Sequence, residues 1–354
     1  MSAIYRVVLV DYDSDLFDIT PLSNLGMVET LGKANATLEI AQRRTEEDAL
    51  AMARDADLVM VQSVRKLLTA NVVPALTKCR GIVRLGLGYD SVDVAAATQA
   101  GIPVSNVIDW CNDEVAEHAV ALLMAGVRHV AQLDRSVRAG VWSREIAVPT
   151  YRIRGKTLGI IGFGRVAQTV AECVAGYGLT RLAFDPYVDE TTMTQAHVQK
   201  VELGELLRRS DFITIHARLT EQTHHLLGAS EFGTMKRNTF VVNTSRGALI
   251  DEVALVAALQ TGQIQGAALD VMEQEPLPAD SPLRRLENII LVPHSASYSI
   301  EAVDTLYRLG ADIAKRLLQG YWVRTIVNPG VKRQAEARWG RFKDPTLVES
   351  REAV

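Results

Sequence analysis

The chain has 354 residues, 48% of them hydrophobic and 23% charged, and a formal net charge of -4. That length accommodates about two domains whose cores are stable unaided, and the charge balance offers neither a basic excess for nucleic acid nor a polybasic cluster for a membrane surface. No apolar run reaches the length of a membrane span, the first residues lack the zoning of a signal peptide, and Cys79, Cys111 and Cys173 are scattered without a CxxC. The cysteines read as reduced structural thiols, which suits a cytoplasmic protein.

In chain order, short β-type runs alternate with helix-type runs, the pattern of α/β architecture with parallel sheets. The first third predicts strands at 5–10, 58–61 and 82–85, with helices at 46–54 and 70–77. A longer helix is expected at 113–128, with the stripe Val115, Ala119, Leu122 and Gly126 and a cap at Asn112 or Asp113. Residues 139–154, with Gly140, Trp142, Pro149 and Tyr151, break the rhythm and read as an extended arm. A second series of strands follows at 157–161, 181–184, 212–215, 240–243, 266–269 and 289–292, with helices at 165–177, 203–209 and 252–260 between them. The last clear helix, 299–318, carries the stripe Ala302, Leu306, Leu309, Ile313 and Leu317, and Gly320 is placed to end it. Beyond Val331 the sequence is charged and weakly periodic, which predicts an arm or a mobile tail over 331–354.

The stretch TLGIIGFGRVAQ reads strand, Gly162-Phe163-Gly164, helix, with Ala167 at the third position of a GxGxxA pattern. Gly162 permits a tight turn, Gly164 lets the backbone approach a pyrophosphate, and Ala167 allows close helix–strand packing. A second β-run ends in Asp185, 23 residues after Gly162, a spacing that suits an acid for ribose hydroxyls. The plainer alternative is a glycine-rich turn with a surface aspartate; the order of strand, turn, helix, strand and acid favours a dinucleotide. A carboxylate at 185 repels a 2′-phosphate and so favours NAD over NADP, while Arg218 keeps some NADP use open.

His294 follows a β-run in LVPHSASYS. A lone histidine after a strand is most often structural, so its reading depends on partners. Arg246, Asp270 and Glu275 also lie at ends of β-runs, and in a doubly wound sheet those ends meet where ligands bind. Each has a dull alternative as a loop cation, a cap or a surface charge. Together they suit proton and hydride transfer: an imidazole to move a proton, a carboxylate to fix its tautomer, a guanidinium to hold an anion. The pair His224-His225 has neither metal-ligand spacing nor a carboxylate cluster, so no metal is expected.

The motifs TLGIIGFGRVAQ, NTSRGALIDE, GAALDVMEQEPL and VPHSA, in order across residues 7–329, resemble the D-2-hydroxyacid dehydrogenase family. VRLGLGYDSVD, AFDPYVD, the His-His pair, RRSDFITIH and PHSASYS look closest to its C-terminal binding protein-like branch. The resemblance implies two doubly wound α/β domains, a Rossmann cofactor domain (106–296) inserted into a flavodoxin-like substrate domain (1–105 and 297–330), with the tail at 331–354. It implies Arg246 as substrate anchor, Glu275 as carboxylate partner and His294 as acid/base. It implies cofactor contacts at Gly162, Gly164, Arg165, Val166 and Asp185, and at His216, Thr244, Ser245, Asp270 and His294, with Asp270 meeting the nicotinamide carboxamide. The loop Gly86, Leu87, Gly88 would receive the substrate carboxylate on its backbone N–H groups, and the helix from Asp113 with the arm at 142–151 is where relatives dimerise.

Two departures bear on this. Relatives in the branch carry Trp where this chain has Ser297, which puts Ser297 beside the substrate side chain and leaves substrate identity open. Many family members have Pro where this chain has Arg218. The expected protein is an NAD-dependent 2-keto acid reductase, a homodimer without nucleic-acid or membrane partners. The alternatives are an NAD(H)-sensing scaffold or corepressor, and a related dehydrogenase of another small anion such as phosphite or formate.

Overall fold

The computed structural model describes residues 4–11, 21–63 and 65–343. Two units emerge, Met1–Trp110 with Ser299–Val354 and Cys111–Tyr298. They exchange at 110/111 and 298/299, slightly later in the chain than the expected 105/106 and 296/297. Both are α/β with parallel sheets, as expected.

The first unit begins β1 (Tyr5–Leu9), α1 (Pro21–Gly32), β2 (Ala36–Ile40), α2 (Glu46–Ala53), β3 (Leu58–Val61), β4 (Ile82–Arg84), α3 (Val94–Gln99) and β5 (Val104–Asn106). Its sheet has the order β2-β1-β3-β4-β5, all pairs parallel. In that flavodoxin-like order the chain changes direction between β1 and β3, the crevice where such sheets bind ligands. β3 (LVMV) is buried along its whole length, as a central parallel strand covered on both faces must be. The helix expected at 70–77 is only a 3-10 turn, Val73–Ala75. Pro74 lacks an N–H and disfavours the helical conformation of the residue before it.

The second unit runs α4 (Asn112–Val127), α5 (Val130–Arg138), β6 (Thr157–Ile161), α6 (Arg165–Cys173), β7 (Thr180–Phe184), α7 (Glu190–Gln195), β8 (Gln199–Lys200), α8 (Leu203–Arg209), β9 (Phe212–Ile215), α9 (Ala229–Thr234), β10 (Phe240–Asn243), α10 (Glu252–Gln260), β11 (Gly266–Leu269) and β12 (Ile289–Leu291). Its sheet has the order β12-β11-β10-β9-β6-β7-β8. Alternate strand residues feed two cores: Ile213, Val241 and Ala267 join one cluster, while Phe212, Val242 and Ala268 join the other with α4 and α6. The predicted cap of α4 is corrected. The helix starts at Asn112 after Cys111, which makes no side-chain cap bond, and Asp113 and Glu114 instead meet the positive end of the helix. α5 was not anticipated; it buries none of its residues. α6 stops at Cys173, with a 3-10 turn at Ala175–Tyr177 before Gly178 in the left-handed region. Residues 139–154 contain a 3-10 turn at Glu145–Ala147 and expose Trp142 (90%) and Val148 (71%).

The chain then returns to the first unit with α11 (Ile300–Leu318) and α12 (Lys332–Trp339). Ser299 caps α11 by accepting from the Ala302 N–H at 2.9 Å. The helix buries Ala302, Leu306 and Leu317 of the expected stripe, with Tyr307, Gly310, Ala311, Ala314 and Leu318; Leu309 and Ile313 are only half-buried. Tyr307 donates to Gln62 at 2.7 Å, tying α11 to the end of β3. Gly320, at φ +81, ends the helix as read from the sequence. The tail expectation is corrected over 332–343. Ala335 is fully buried, Arg338 donates to Thr77 O at 2.6 Å, and Arg80 lies over both Tyr5 and Trp339 at 4.9 and 4.8 Å. Within the segment itself, Lys332 lies over Trp322 at 5.4 Å and Arg338 over Trp339 at 4.9 Å. The remainder of that expectation, 344–354, lies outside the described residues. Among the described residues, no helix is long and apolar enough to cross a membrane.

Candidate active site

β6, β7, β9, β10, β11 and β12 run parallel, so the residues after each of them share one edge of the second unit's sheet. After β6, Gly162 sits at φ +82, and a Cβ there would lie 2.6 Å from Ala217 N. Only glycine fits that turn. Phe163 turns fully into the core, and Ala167 is buried where α6 packs. Gly164 has ordinary backbone angles, and a Cβ there would meet nothing within 4 Å. The loop is therefore open on that side, above the N-terminus of α6, where Arg165 and Val166 begin the helix.

Asp185, after β7, accepts from Phe163 N–H and Tyr187 N–H, both at 2.8 Å. The acid thus also braces the glycine loop. His216, after β9, pairs its Nε2 with Thr214 Oγ1 at 2.8 Å; its Nδ1 is enclosed without a hydrogen-bond partner, and burial lowers its pKa to about 4. After β10, Ser245 donates its hydroxyl to Ile215 O at 2.8 Å, while the buried Thr244 hydroxyl has no partner. An open glycine loop, a helix N-terminus, a nearby carboxylate and an unsatisfied hydroxyl fit the polar parts of a dinucleotide.

Arg246 follows, with its guanidinium donating to Ser245 O at 2.7 Å. A Cβ on Gly247 would lie 1.9 Å from Met272 C, so glycine is what lets this strand end approach the loop after β11. That loop carries Glu275. Its Oε1 accepts from Met272 N–H at 3.0 Å, and its Oε2 accepts from His294 Nδ1 at 2.7 Å. The two side chains are 24% and 25% exposed. Burial pushes the Glu275 pKa up, but the hydrogen bond and charge of His294, the Met272 N–H and the Arg246 charge outweigh it and hold the carboxyl below its usual range. With Nδ1 donating to Glu275, Nε2 of His294 is left for proton transfer.

His294 is itself in the left-handed region at φ +52. Its N–H donates to Asp270 O at 2.7 Å and to Val292 O at 3.1 Å. Asp270, fully buried, accepts from Ser295 N–H on Oδ1 at 2.7 Å and from Ala296 N–H on Oδ2 at 3.1 Å. Both oxygens of this expected cofactor contact are thus already engaged by backbone. The second unit brings Arg246, Asp270, Glu275 and His294 together. Ser297 is half-buried just beyond them, and the cap of α11 belongs to Ser299, so Ser297 is not held by a capping role.

Gly86, Leu87 and Gly88 belong to the first unit. The Arg84 guanidinium lies where a Cβ of Gly86 would go, and Gly86 has φ +141. Asn106 Nδ2 donates to Leu87 O at 2.7 Å and Val107 N–H to Gly86 O at 3.2 Å, which fixes the loop's backbone.

Sequence reasoning missed His118, whose Nε2 lies 3.8 Å from Asp270 Oδ1. Its position among Val115, Ala119 and Leu122 on the inner side of α4 was the available signal. The His224 and His225 rings stack at 4.0 Å, and His225 Nε2 faces Glu273 at 3.1 Å.

Comparison with known proteins identifies the family. Residues 120–296 match the D-isomer specific 2-hydroxyacid dehydrogenase, NAD binding domain. The chain is 38% identical to a D-3-phosphoglycerate dehydrogenase of Methanocaldococcus jannaschii over 88% of this chain and 59% of that protein. It therefore spans little more than half the length of that relative. It is 41% identical to a glyoxylate reductase of Korarchaeum cryptofilum over 71% of this chain and 76% of that protein. The NAD-dependent formate dehydrogenase of Staphylococcus aureus, solved in complex with NAD, superposes with a TM-score of 0.78 at 29% identity, covering 88% of this chain and 95% of that one. On the profile match and on the shared length and identity of the glyoxylate reductase, the chain belongs to the D-isomer specific 2-hydroxyacid dehydrogenase family.

Proposed function

We propose that the protein is an NAD-dependent dehydrogenase that interconverts a 2-keto acid and a D-2-hydroxy acid. The 2.7 Å bond between Glu275 and His294, with Arg246 bearing on the same carboxylate, carries this reading. The guanidinium of Arg246 binds the substrate carboxylate and polarises the keto oxygen. Bound NADH supplies the hydride for the keto carbon. His294 gives its Nε2 proton to the oxygen as the alkoxide forms, and Glu275 stabilises the charged ring before that transfer. In oxidation the same nitrogen takes the proton back. Ser297 faces the substrate side chain.

Asp185 favours NAD over NADP, because a carboxylate there repels a 2′-phosphate. The exposed Val141, Trp142, Val148 and Tyr151 of the 139–154 segment form the surface through which two copies pair. Likeness to the formate dehydrogenase supports a second reading, oxidation of another small anion held by the same arginine.

The deciding experiment is steady-state turnover with a panel of 2-keto acids, D- and L-2-hydroxy acids, formate and phosphite, each with NAD(H) and NADP(H). Reduction of 2-keto acids with NADH preferred is the expected result. Tight NADH binding without turnover on any acid would leave a nucleotide-sensing scaffold.

A further inference from the structure

Asp270 has no exposed surface, and burial, the largest influence on it, pushes its pKa up. Its environment nevertheless calls for the ionised form. Both oxygens face backbone N–H donors, those of Ser295 and Ala296, the two residues after His294. A protonated carboxyl would turn one O–H toward a donor and lose a bond. The left-handed His294 also rests on Asp270, through its N–H to the Asp270 carbonyl at 2.7 Å. The shape of the acid/base turn therefore depends on a carboxylate that its surroundings discourage from being charged.

Two charged groups act on it most among the described residues. From the turn itself comes His294, and from α4 comes His118, both of which favour the carboxylate. Glu275 bonds His294, and Arg246 bears on Glu275. The His118 ring is 29% exposed, but its Nε2 is enclosed 3.8 Å from Asp270 Oδ1 and has no hydrogen-bond partner. That separation is too long for a hydrogen bond and short enough for strong electrostatics where water is excluded. An enclosed imidazole nitrogen with a buried carboxylate as its neighbour has one electrostatic task.

We propose that His118 is a positioning residue, which braces the buried Asp270 carboxylate and through it the Ser295–Ala296 turn that carries His294. The name acid/base turn rests on the function proposed above; the brace itself does not. His118 touches neither substrate nor the reacting atoms in this scheme. It acts by keeping Asp270 ionised, so that the two N–H bonds hold His294 at its partner Glu275.

The test uses the full chain with His118→Leu and His118→Gln. The titration of Asp270 is followed by carboxyl carbon NMR, and the Ser295 and Ala296 amides by hydrogen exchange. His118→Leu is expected to move the Asp270 midpoint up by about half a pH unit or more, and to speed exchange of both amides several-fold near that midpoint. His118→Gln, which keeps a donor without the charge, should fall between. If the reduction reaction is present, the acid limb of kcat should move up in pH with the Asp270 midpoint, while KM for NADH changes little. A purely packing role would lower Tm and leave the midpoint in place. An unchanged midpoint and unchanged amide exchange in His118→Leu overturns the proposal, and His118→Gln decides it in the same way if the leucine variant does not fold. Absence of turnover on every 2-keto acid would defeat the proposed function and leave the NMR result to stand for His118.

Discussion

The glycine loop after β6 and the histidine turn after β12 occupy one edge of one sheet, and they are built by different means. The loop is local: Gly162 turns, Phe163 anchors, Gly164 opens and α6 starts within four residues, with Asp185 as a remote brace. The turn is remote throughout. His294 meets Glu275 across 19 residues, its flanking amides bond Asp270 across 25 and 26, and Gly247 admits the loop that bears Glu275. A site for binding a common cofactor can be written into a short motif, because backbone geometry does most of the recognition. A site for moving a proton needs side chains from several strand ends, each held within fractions of an ångström.

The largest expected effect falls on the remote region. Arg246→Ala should lose about 2–5 kcal/mol in kcat/KM, since a charged partner is removed from a partly buried site. NADH affinity, measured by fluorescence titration, should stay near that of the native protein. Near-normal turnover would exclude Arg246 as the substrate anchor.

The glycine loop offers an internal contrast. Gly162→Ala places a side chain at φ +82 against the Ala217 backbone, and should cost about 1–3 kcal/mol of stability. Gly164→Ala enters open space with permitted angles, so Tm should hardly move while NADH affinity falls. Equal behaviour of the two variants in melting and in NADH titration would mean that the loop does not divide its work in this way.

Glu275→Gln sharpens the comparison through pH. In the native protein the ionised Glu275, held below its usual range once the His294 and Arg246 interactions outweigh burial, favours the charged ring. Without that charge the protonated ring loses its stabilising neighbour. Reduction, which needs the protonated ring, should then fall off about one unit lower in pH, and oxidation should gain at lower pH. Superimposable profiles in both directions would remove Glu275 from this role.

The smallest effect on stability is expected at Ser297. Because Ser299 already caps α11, Ser297→Trp should leave Tm within a few degrees and alter the ranking of substrates. Bulky or polar 2-keto acids should lose most and glyoxylate least. A uniform loss that tracks Tm would make Ser297 a packing position only.

Much of the cofactor unit was readable in one dimension. The strands at Thr157–Ile161, Phe212–Ile215, Phe240–Asn243 and Gly266–Leu269 coincide with their predicted spans, because buried parallel strands are continuous apolar runs bounded by turn residues. Where competing local signals met, prediction failed. Pro74 reduced an expected helix to a single turn, and the 130–138 helix was missed although Val130, Leu133 and Val137 stand at helical spacing, because that stripe is short and none of it is buried. The charged 332–339 segment misled for the opposite reason: its Arg338 is engaged by Trp339, Thr77 and Ala100, partners that composition does not reveal.

By itself the sequence determined the alternation of strands and helices, the turn at Gly162 and the short list of residues able to move a proton or hold an anion. These follow from periodicity, from the lack of a side chain at glycine and from the chemistry of each residue type. The family resemblance already paired Glu275 with His294; tertiary structure alone decided that Asp270 holds the backbone of the turn instead. Glu275 and Asp270 are equivalent as letters, five positions apart. One reaches the imidazole at 2.7 Å, and the other is sealed beneath the turn beside His118. That division is set by strand register and by the contact that Gly247 permits between two loops, and neither is encoded in local spacing.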